Sequence, residues 1–217
     1  MANKKAVLFD LDGTLINSLP DISACMNRAL QMHGLPAHPV SAYCYFAGDG
    51  AVNLTRRAVG QAHSELVDAV FQDYRALYAV HCNDASHVYD GIHALRAGLQ
   101  QAGLRLAVLS NKDDKDTVSV IRHYFGESSF EIVRGRRPHV PIKPDPAAAL
   151  QIAEGMGLRP DDFWYLGDTP TDLQTCASAG MHFIAAGWGF RPESELRAAG
   201  AERVAAVPLD ALQMIMK

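Results

Sequence analysis

Short, largely apolar runs, each followed by a stretch of helical periodicity, constrain this chain more than any other feature. The runs are Ala6-Val7-Leu8-Phe9, Leu106-Ala107-Val108-Leu109, Phe130-Glu131-Ile132-Val133, Phe163-Trp164-Tyr165-Leu166 and His182-Phe183-Ile184-Ala185, with a shorter one at Arg203-Val204-Ala205-Ala206. A strand with one wet face alternates apolar and polar residues. A run that does not alternate belongs in a sheet covered on both faces, the usual condition of parallel strands. Helical periodicity occupies about 91–102, 113–124, 146–156, 171–178 and 193–199, and Gly103, Gly157 and Gly180 stand where C-caps are expected. The expected fold class is α/β, a doubly wound parallel sheet of Rossmann-like design.

One interval breaks this rhythm. After the first run no further strand is expected until about Leu106, and from about Leu19 to Asn83 the pattern is helical throughout. Leu19, Ile22, Met26, Ala29 and Leu30 share one helix face, and Val67, Val70, Phe71, Tyr74, Leu77 and Tyr78 share another. Gly34-Leu35-Pro36 and Gly48-Asp49-Gly50 punctuate the stretch. The expected organisation is a core of residues 1–15 and 86–217, with residues 16–85 inserted as an α-helical cap domain.

Composition excludes several functions. A formal net charge of −4 supplies no basic footprint for nucleic acid, and the apolar stretches fall far short of a membrane span. Met1 to Lys5 lack the apolar stretch and cleavage site of a signal peptide, so a cytoplasmic location is expected. Cys25, Cys44, Cys82 and Cys176 are scattered, which fits reduced, partly buried thiols, and the nine histidines show no zinc-ligand spacing.

Four motifs carry candidate chemistry. Asp10-Leu11-Asp12-Gly13-Thr14 follows the first strand, so Asp10 sits at a strand's carboxyl end, where open α/β sheets bind ligands. Two acids separated by one residue project to the same side of extended chain; Gly13 permits a sharp turn and Thr14 offers a hydroxyl to an anion. An ordinary strand-ending turn is the competing reading. Gly167-Asp168-Thr169-Pro170-Thr171-Asp172 again places acids at a strand end, with Asp168 and Asp172 facing a cation above the sheet. Helix capping by Thr169 or Asp168, with Pro170 in the first turn, explains the same residues and is compatible with that role. Ser110-Asn111-Lys112 brings a hydroxyl and an amide to a third strand end, suited to phosphate. Lys143-Pro144-Asp145-Pro146 holds a lysine on a proline-constrained backbone.

With these motifs in this order, the chain resembles the haloacid dehalogenase-superfamily hydrolases with a helical cap after the first strand, and among them most nearly the phosphoglycolate phosphatases. The resemblance covers nearly the whole chain. It implies that Asp10 is the nucleophile that becomes an aspartyl phosphate. Asp12 would be the acid for the leaving alcohol and then the base for water. Ser110 and Lys143 would bind the transferring phosphoryl group, with Gly13, Thr14 and Asn111 around it. It further implies Mg²⁺ held by Asp10, the backbone carbonyl of Asp12 and Asp168, with Asp172 assisting directly or through water. Three carboxylates and a phosphate dianion repel one another, each unit pair by about 4 kcal/mol at about 4 Å and an effective dielectric near about 20. A divalent cation with Lys143 offsets this, and an oxygen-only ligand set suits Mg²⁺. Asp12 argues against carbon–halogen hydrolysis, whose leaving halide needs no proton.

The insert points to a small phosphorylated metabolite, and the resemblance implies 2-phosphoglycolate first; no nucleic acid or membrane partner is expected, and the expected assembly is a monomer or homodimer. The cap turn Gly48-Asp49-Gly50 is expected to dip toward the site, and Arg56 or Arg57 on the next helix to meet a substrate carboxylate, with solvent-facing arginines as the competing reading. Sugar-phosphate mutases of the family often carry a basic residue just after this turn; Ala51 stands there. Asn17 stands where relatives more often have Asp, and the basic run Arg134 to His139 is read as a solvated loop. Another small phosphate ester or pyrophosphate, a mutase, a phospho-acceptor signalling module and a non-catalytic metabolite binder are the alternatives.

Overall fold

A computed structural model describes residues 4–217. The apolar runs form six strands: β1 (Ala6–Phe9), β4 (Arg105–Asp113), β5 (Ile132–Arg136), β6 (Phe163–Gly167), β7 (His182–Ala186) and β8 (Val204–Ala205). They make one sheet in the order β5-β4-β1-β6-β7-β8, and every pairing in it is parallel. The lack of alternation has a direct cause. Val7 and Phe9 pack on one face with Val108, Leu166 and Ile184, against α5 (Ile92–Gln101), α6 (Asp114–Phe125) and α10 (Pro208–Met216). Ala6 and Leu8 pack on the other with Leu109, Phe163 and Tyr165, against α7 (Ala147–Gly155) and α8 (Pro170–Ala179). Both faces of β1 are dry, so all four of its residues are apolar and buried. The short α9 (Glu193–Ala198) closes the edge beside β8.

Strand order places the site. From β1 the chain winds outward to β4 and β5, then returns to β6 on the other side of β1 and winds outward again. The carboxyl ends of β4, β1 and β6 therefore flank the point where the winding reverses, the crevice of such sheets. Asp113, Asp10 and Asp168 terminate or follow those strands.

The helical interval forms α1 (Leu19–Met32), α2 (Val40–Phe46), α3 (Ala51–Val59) and α4 (Val67–His81), with a 3-10 turn over Gln61–Leu66. Ile22, Met26 and Leu30 of α1 meet Tyr43, Leu54, Val70, Tyr74 and Tyr78 in an apolar cluster of their own, to which Phe190 of the β7–α9 loop adds its ring.

Three expectations need correction. The interval before Leu106 is not free of strand: β2 (Ile16–Asn17) pairs antiparallel with β3 (His87–Val88), Ile16 opposite Val88 and Asn17 opposite His87. Two residues are too few to show a period. The insert thus leaves and re-enters the core at one place, and Asp21 fastens it there, its buried carboxylate accepting the backbone N–H groups of Ala85 at 2.9 Å and Ser86 at 2.7 Å. The run at Phe130 begins its strand two residues late; Phe130 instead buries its ring edge-on against Phe9, 6.0 Å between centroids. Finally, α10 lies beyond the last expected helix, with Pro208 at its start and Gly98 of α5 so close to Leu212 that a Cβ there would fall 2.7 Å from Cδ2.

Candidate active site

The floor of the crevice is a buried charge cluster. Asp10 follows β1 and its N–H donates to Leu166 O at 2.9 Å, so the parallel pairing with β6 continues into the motif. Lys143 Nζ lies 2.8 Å from Asp10 Oδ1 and 2.7 Å from Asp172 Oδ1, and all three side chains are below 10 % exposed. Asn111 sets this lysine: its Oδ1 accepts from Lys143 N at 2.9 Å and its Nδ2 donates to Lys143 O at 3.1 Å. The same Nδ2 reaches Gly48 O at 2.9 Å, a contact from β4 to the loop between α2 and α3.

Asp168 and Asp172 occupy different environments. Asp168 accepts from Thr14 Oγ1 at 3.0 Å and from Phe190 N at 2.8 Å. Asp172 is part of a capping box on α8: its Oδ2 accepts from Thr169 Oγ1 at 2.6 Å and Thr169 N at 3.2 Å, with Pro170 in the first turn. Its Oδ1 takes Lys143 and the Tyr165 hydroxyl at 3.2 Å. Capping and charge placement are thus performed by one side chain. The Thr14 hydroxyl points at Asp168, and the Gly13 N–H donates to Ile16 O at 2.8 Å, so both shape the loop around the acids.

One oxygen from each of Asp10, Asp168 and Asp172 lies within 4.8 Å of the others. Burial first, then the neighbouring Asp172 charge, holds the Asp10 carboxyl well above the usual carboxylate range, against the opposing pull of Lys143. Asp168 is pushed up to about 7, again by burial and then Asp172, opposed by the Phe190 N–H and the Thr14 hydroxyl. Burial alone would lower the Lys143 ammonium, but Asp10 and Asp172 outweigh it and hold it above the ordinary lysine value. With all three carboxyls ionised, the one ammonium would leave two negative charges uncompensated in a buried space. An all-oxygen donor set with that deficit fits a hard divalent cation.

Glycines make room for the acids. A Cβ on Gly13, whose φ is +91°, would fall 2.2 Å from Asp168 Oδ2; one on Gly189 would fall 2.2 Å from Asp168 Cβ and 2.4 Å from Gly13 O; one on Gly167 would fall 2.3 Å from Asp172 Cβ. Gly189→Ala is therefore expected to displace Asp168, lowering the melting temperature by several degrees through overpacking of about 1–3 kcal/mol. It should also weaken divalent-cation binding, as read by cation-dependent melting; a variant with wild-type melting and wild-type response to the cation would refute the close approach.

Above this floor a cleft is lined by Asp10, Asp12, Ser110, Lys112 and Lys143 from the sheet side and by Gly48, Gly50, Leu54, Tyr74 and Tyr78 from the helical interval. Asp12 faces it, with Lys112 Nζ 2.9 Å from each carboxylate oxygen and 4.9 Å from the centroid of the Tyr78 ring. Ser110 also lines it, its Oγ accepting from Lys112 N at 3.2 Å. Asp49 is bound to Arg57, whose other contact is Phe46 O at 3.0 Å. Arg56 is exposed, donates to Asn53 Oδ1 at 3.2 Å and does not line the cleft; α3 turns both arginines outward. The cations that do line the cleft beside Lys143 are Lys112 and Arg75, the latter 3.3 Å from Asp113. Sequence reasoning also passed over Tyr165, Gly189 and the Phe190 N–H. Gly187-Trp188-Gly189 after β7 was the available signal, and Trp188 Nε1 donates to Thr14 O at 2.9 Å, locking that loop to the first motif.

This fold and this cluster define a class. The chain belongs to the haloacid dehalogenase-like hydrolases, whose family profile matches residues 7–186. Its named relatives narrow the comparison. A phosphoglycolate phosphatase of Pseudomonas putida is 30% identical over 191 residues, covering 86% of this chain and 70% of that protein. One of Rhodospirillum rubrum is 30% identical over 197 residues, covering 87% and 82%. The crystal structure of a predicted phosphoglycolate phosphatase from Haemophilus somnus superimposes with a TM-score of 0.91 at 26% identity, covering 99% of each chain. No helix among the described residues is long and apolar enough to cross a membrane.

Proposed function

We propose that this hydrolase cleaves a small phosphate monoester through an aspartyl phosphate on Asp10, with Mg²⁺, and that 2-phosphoglycolate is its substrate. The observation that carries the reading is the Asp10 carboxylate at the end of β1, held 2.8 Å from Lys143 Nζ at the base of a cleft that Asp12 also faces. An oxygen of Asp10 attacks phosphorus, the ester P–O bond breaks, and Asp12 gives its proton to the departing alcohol oxygen. Water then attacks the phosphorus of the aspartyl phosphate, Asp12 takes the water's proton, and Asp10 is freed together with inorganic phosphate. Lys143 stays charged through both steps and, with Ser110, attracts the phosphoryl oxygens. Mg²⁺ held by Asp10 and Asp168, with Asp172 beside them, would supply the positive charge that the cluster lacks. Splitting the reaction in two suits an ester whose uncatalysed hydrolysis is among the slowest known.

The insert, residues 16–85 on this reading, acts as a cap that limits substrate size and excludes water. Support comes from the cap–core contact of Asn111 with Gly48 and from the apolar wall that Leu54, Tyr74 and Tyr78 present to the cleft.

Phosphate release from a panel of 2-phosphoglycolate, sugar phosphates and pyrophosphate, with Mg²⁺ and with EDTA, tests this. Mg²⁺-dependent release with 2-phosphoglycolate strongly preferred is expected, and EDTA should remove it. Release from other esters alone would retain the chemistry and discard the substrate. Silence across the panel would discard both.

A further inference from the structure

Among the cations lining the cleft, Lys112 has no part in the chemistry proposed above. Lys143 is committed to Asp10 and Asp172. Arg75 is about half exposed and rests on Asp113. The Lys112 side chain, by contrast, is only 8% exposed. Its ammonium lies between the Asp12 carboxylate and the ring of Tyr78, so a core residue is packed against the insert. The cleft it faces carries the apolar side chains of Ile22, Leu54 and Phe190 together with the acids Asp113 and Asp116. A buried ammonium attracts an anionic ligand group more strongly than a neutral one, because the low dielectric strengthens the attraction.

Position identifies which anion. On the phosphatase reading, on which this inference rests, Asp12 touches the ester oxygen of the leaving group. A cation touching Asp12 therefore lies on the leaving-group side, away from the phosphoryl end that Lys143 serves. In a phosphorylated 2-hydroxy acid the carboxylate carbon is two bonds from that ester oxygen, so the carboxylate is adjacent to whatever Asp12 touches. We infer that Lys112 is the specificity residue of this site: it binds the carboxylate of a phosphorylated 2-hydroxy acid while Asp12 holds the ester oxygen. Arg56, the basic residue first considered for this role, does not line the cleft.

The test compares 2-phosphoglycolate with its neutral isostere 2-phosphoglycolamide in the full chain with Mg²⁺. Wild type is expected to favour the carboxylate by about 10- to 100-fold in kcat/KM, the range of a charge-assisted hydrogen bond. Lys112→Met should bring that ratio to within a few fold of one, chiefly by raising KM for the acid, and Lys112→Arg should keep a large part of it. If Lys112→Met fails to fold, Lys112→Gln carries the same comparison. Equal loss on both esters, with the ratio intact, would overturn the inference and leave Lys112 as a partner of Asp12 alone. A wild type that hydrolyses both esters equally would overturn it too. No release from either ester by wild type would instead overturn the 2-phosphoglycolate assignment beneath it.

Discussion

Asp10→Asn is expected to lower phosphate release by about 10⁴-fold or more while leaving the chain folded. The amide has the shape of the carboxylate and lacks its nucleophilicity. The fold should tolerate it because Lys143 keeps Asp172 at 2.7 Å and because one member of a mutually repelling trio loses its charge. Quenching the wild-type reaction with an ester labelled at phosphorus should leave label on the chain that hydroxylamine releases, as an acyl phosphate requires, and the variant should carry none. A variant with more than about a tenth of wild-type turnover would mean that water attacks the ester directly or that another residue is the nucleophile.

Lys143→Met should do more to the fold than any other single change in the site. It leaves Asp10 and Asp172 buried without their shared cation, and losing one partner of a buried pair costs about 3–5 kcal/mol. In a chain of this length that lowers the melting temperature by roughly 10 °C. Activity should fall by at least about 10³-fold, since the same ammonium faces the phosphoryl group. The pH dependence has a definite sign. Asp10 and Asp168 already bind protons more tightly folded than unfolded, chiefly through burial. A carboxyl of that kind contributes stability below its unfolded pKa, and the contribution is lost as pH rises through its folded pKa. Lys143 lowers both groups, so its removal lifts their folded values further. The deficit in melting temperature should therefore be smaller near about pH 5 than near about pH 8, and millimolar Mg²⁺ should recover part of it at the higher pH. A deficit that grows on acidification would show that the cluster does not carry the effect.

The parts of the site legible in the sequence are those fixed by chain direction. A dry strand must end somewhere, and Asp10 and Asp168 follow the ends of two such strands; Ser110, expected at a third, lies within β4, which runs on to Asp113. Their convergence then follows from strand order, which the parallel β-α alternation implies. What was hidden depends on approach between distant segments. Gly189 looks like any loop glycine until Asp168 is set against it. Lys112 reads as the tail of a phosphate motif until Asp12 and Tyr78 close around it. Arg56 and Arg75 are both helix arginines near the expected site, and only the folded structure shows that Arg75 lines the cleft while Arg56 is exposed outside it. Asn111, expected beside the phosphate, uses both ends of its amide on Lys143 and Gly48.

The paired strands β2 and β3, fastened by Asp21, have a consequence for how such a chain can vary. To the sheet, everything between Asn17 and His87 is equivalent to the turn of a hairpin. Its two ends are already joined, and the entropy of closing a loop grows only as the logarithm of its length. Residues can therefore be gained, lost or exchanged in that interval without altering the register of β1 against β4 and β6, on which Asp10 depends. The interval can be rewritten while the strands that carry Asp10 keep their coordinates.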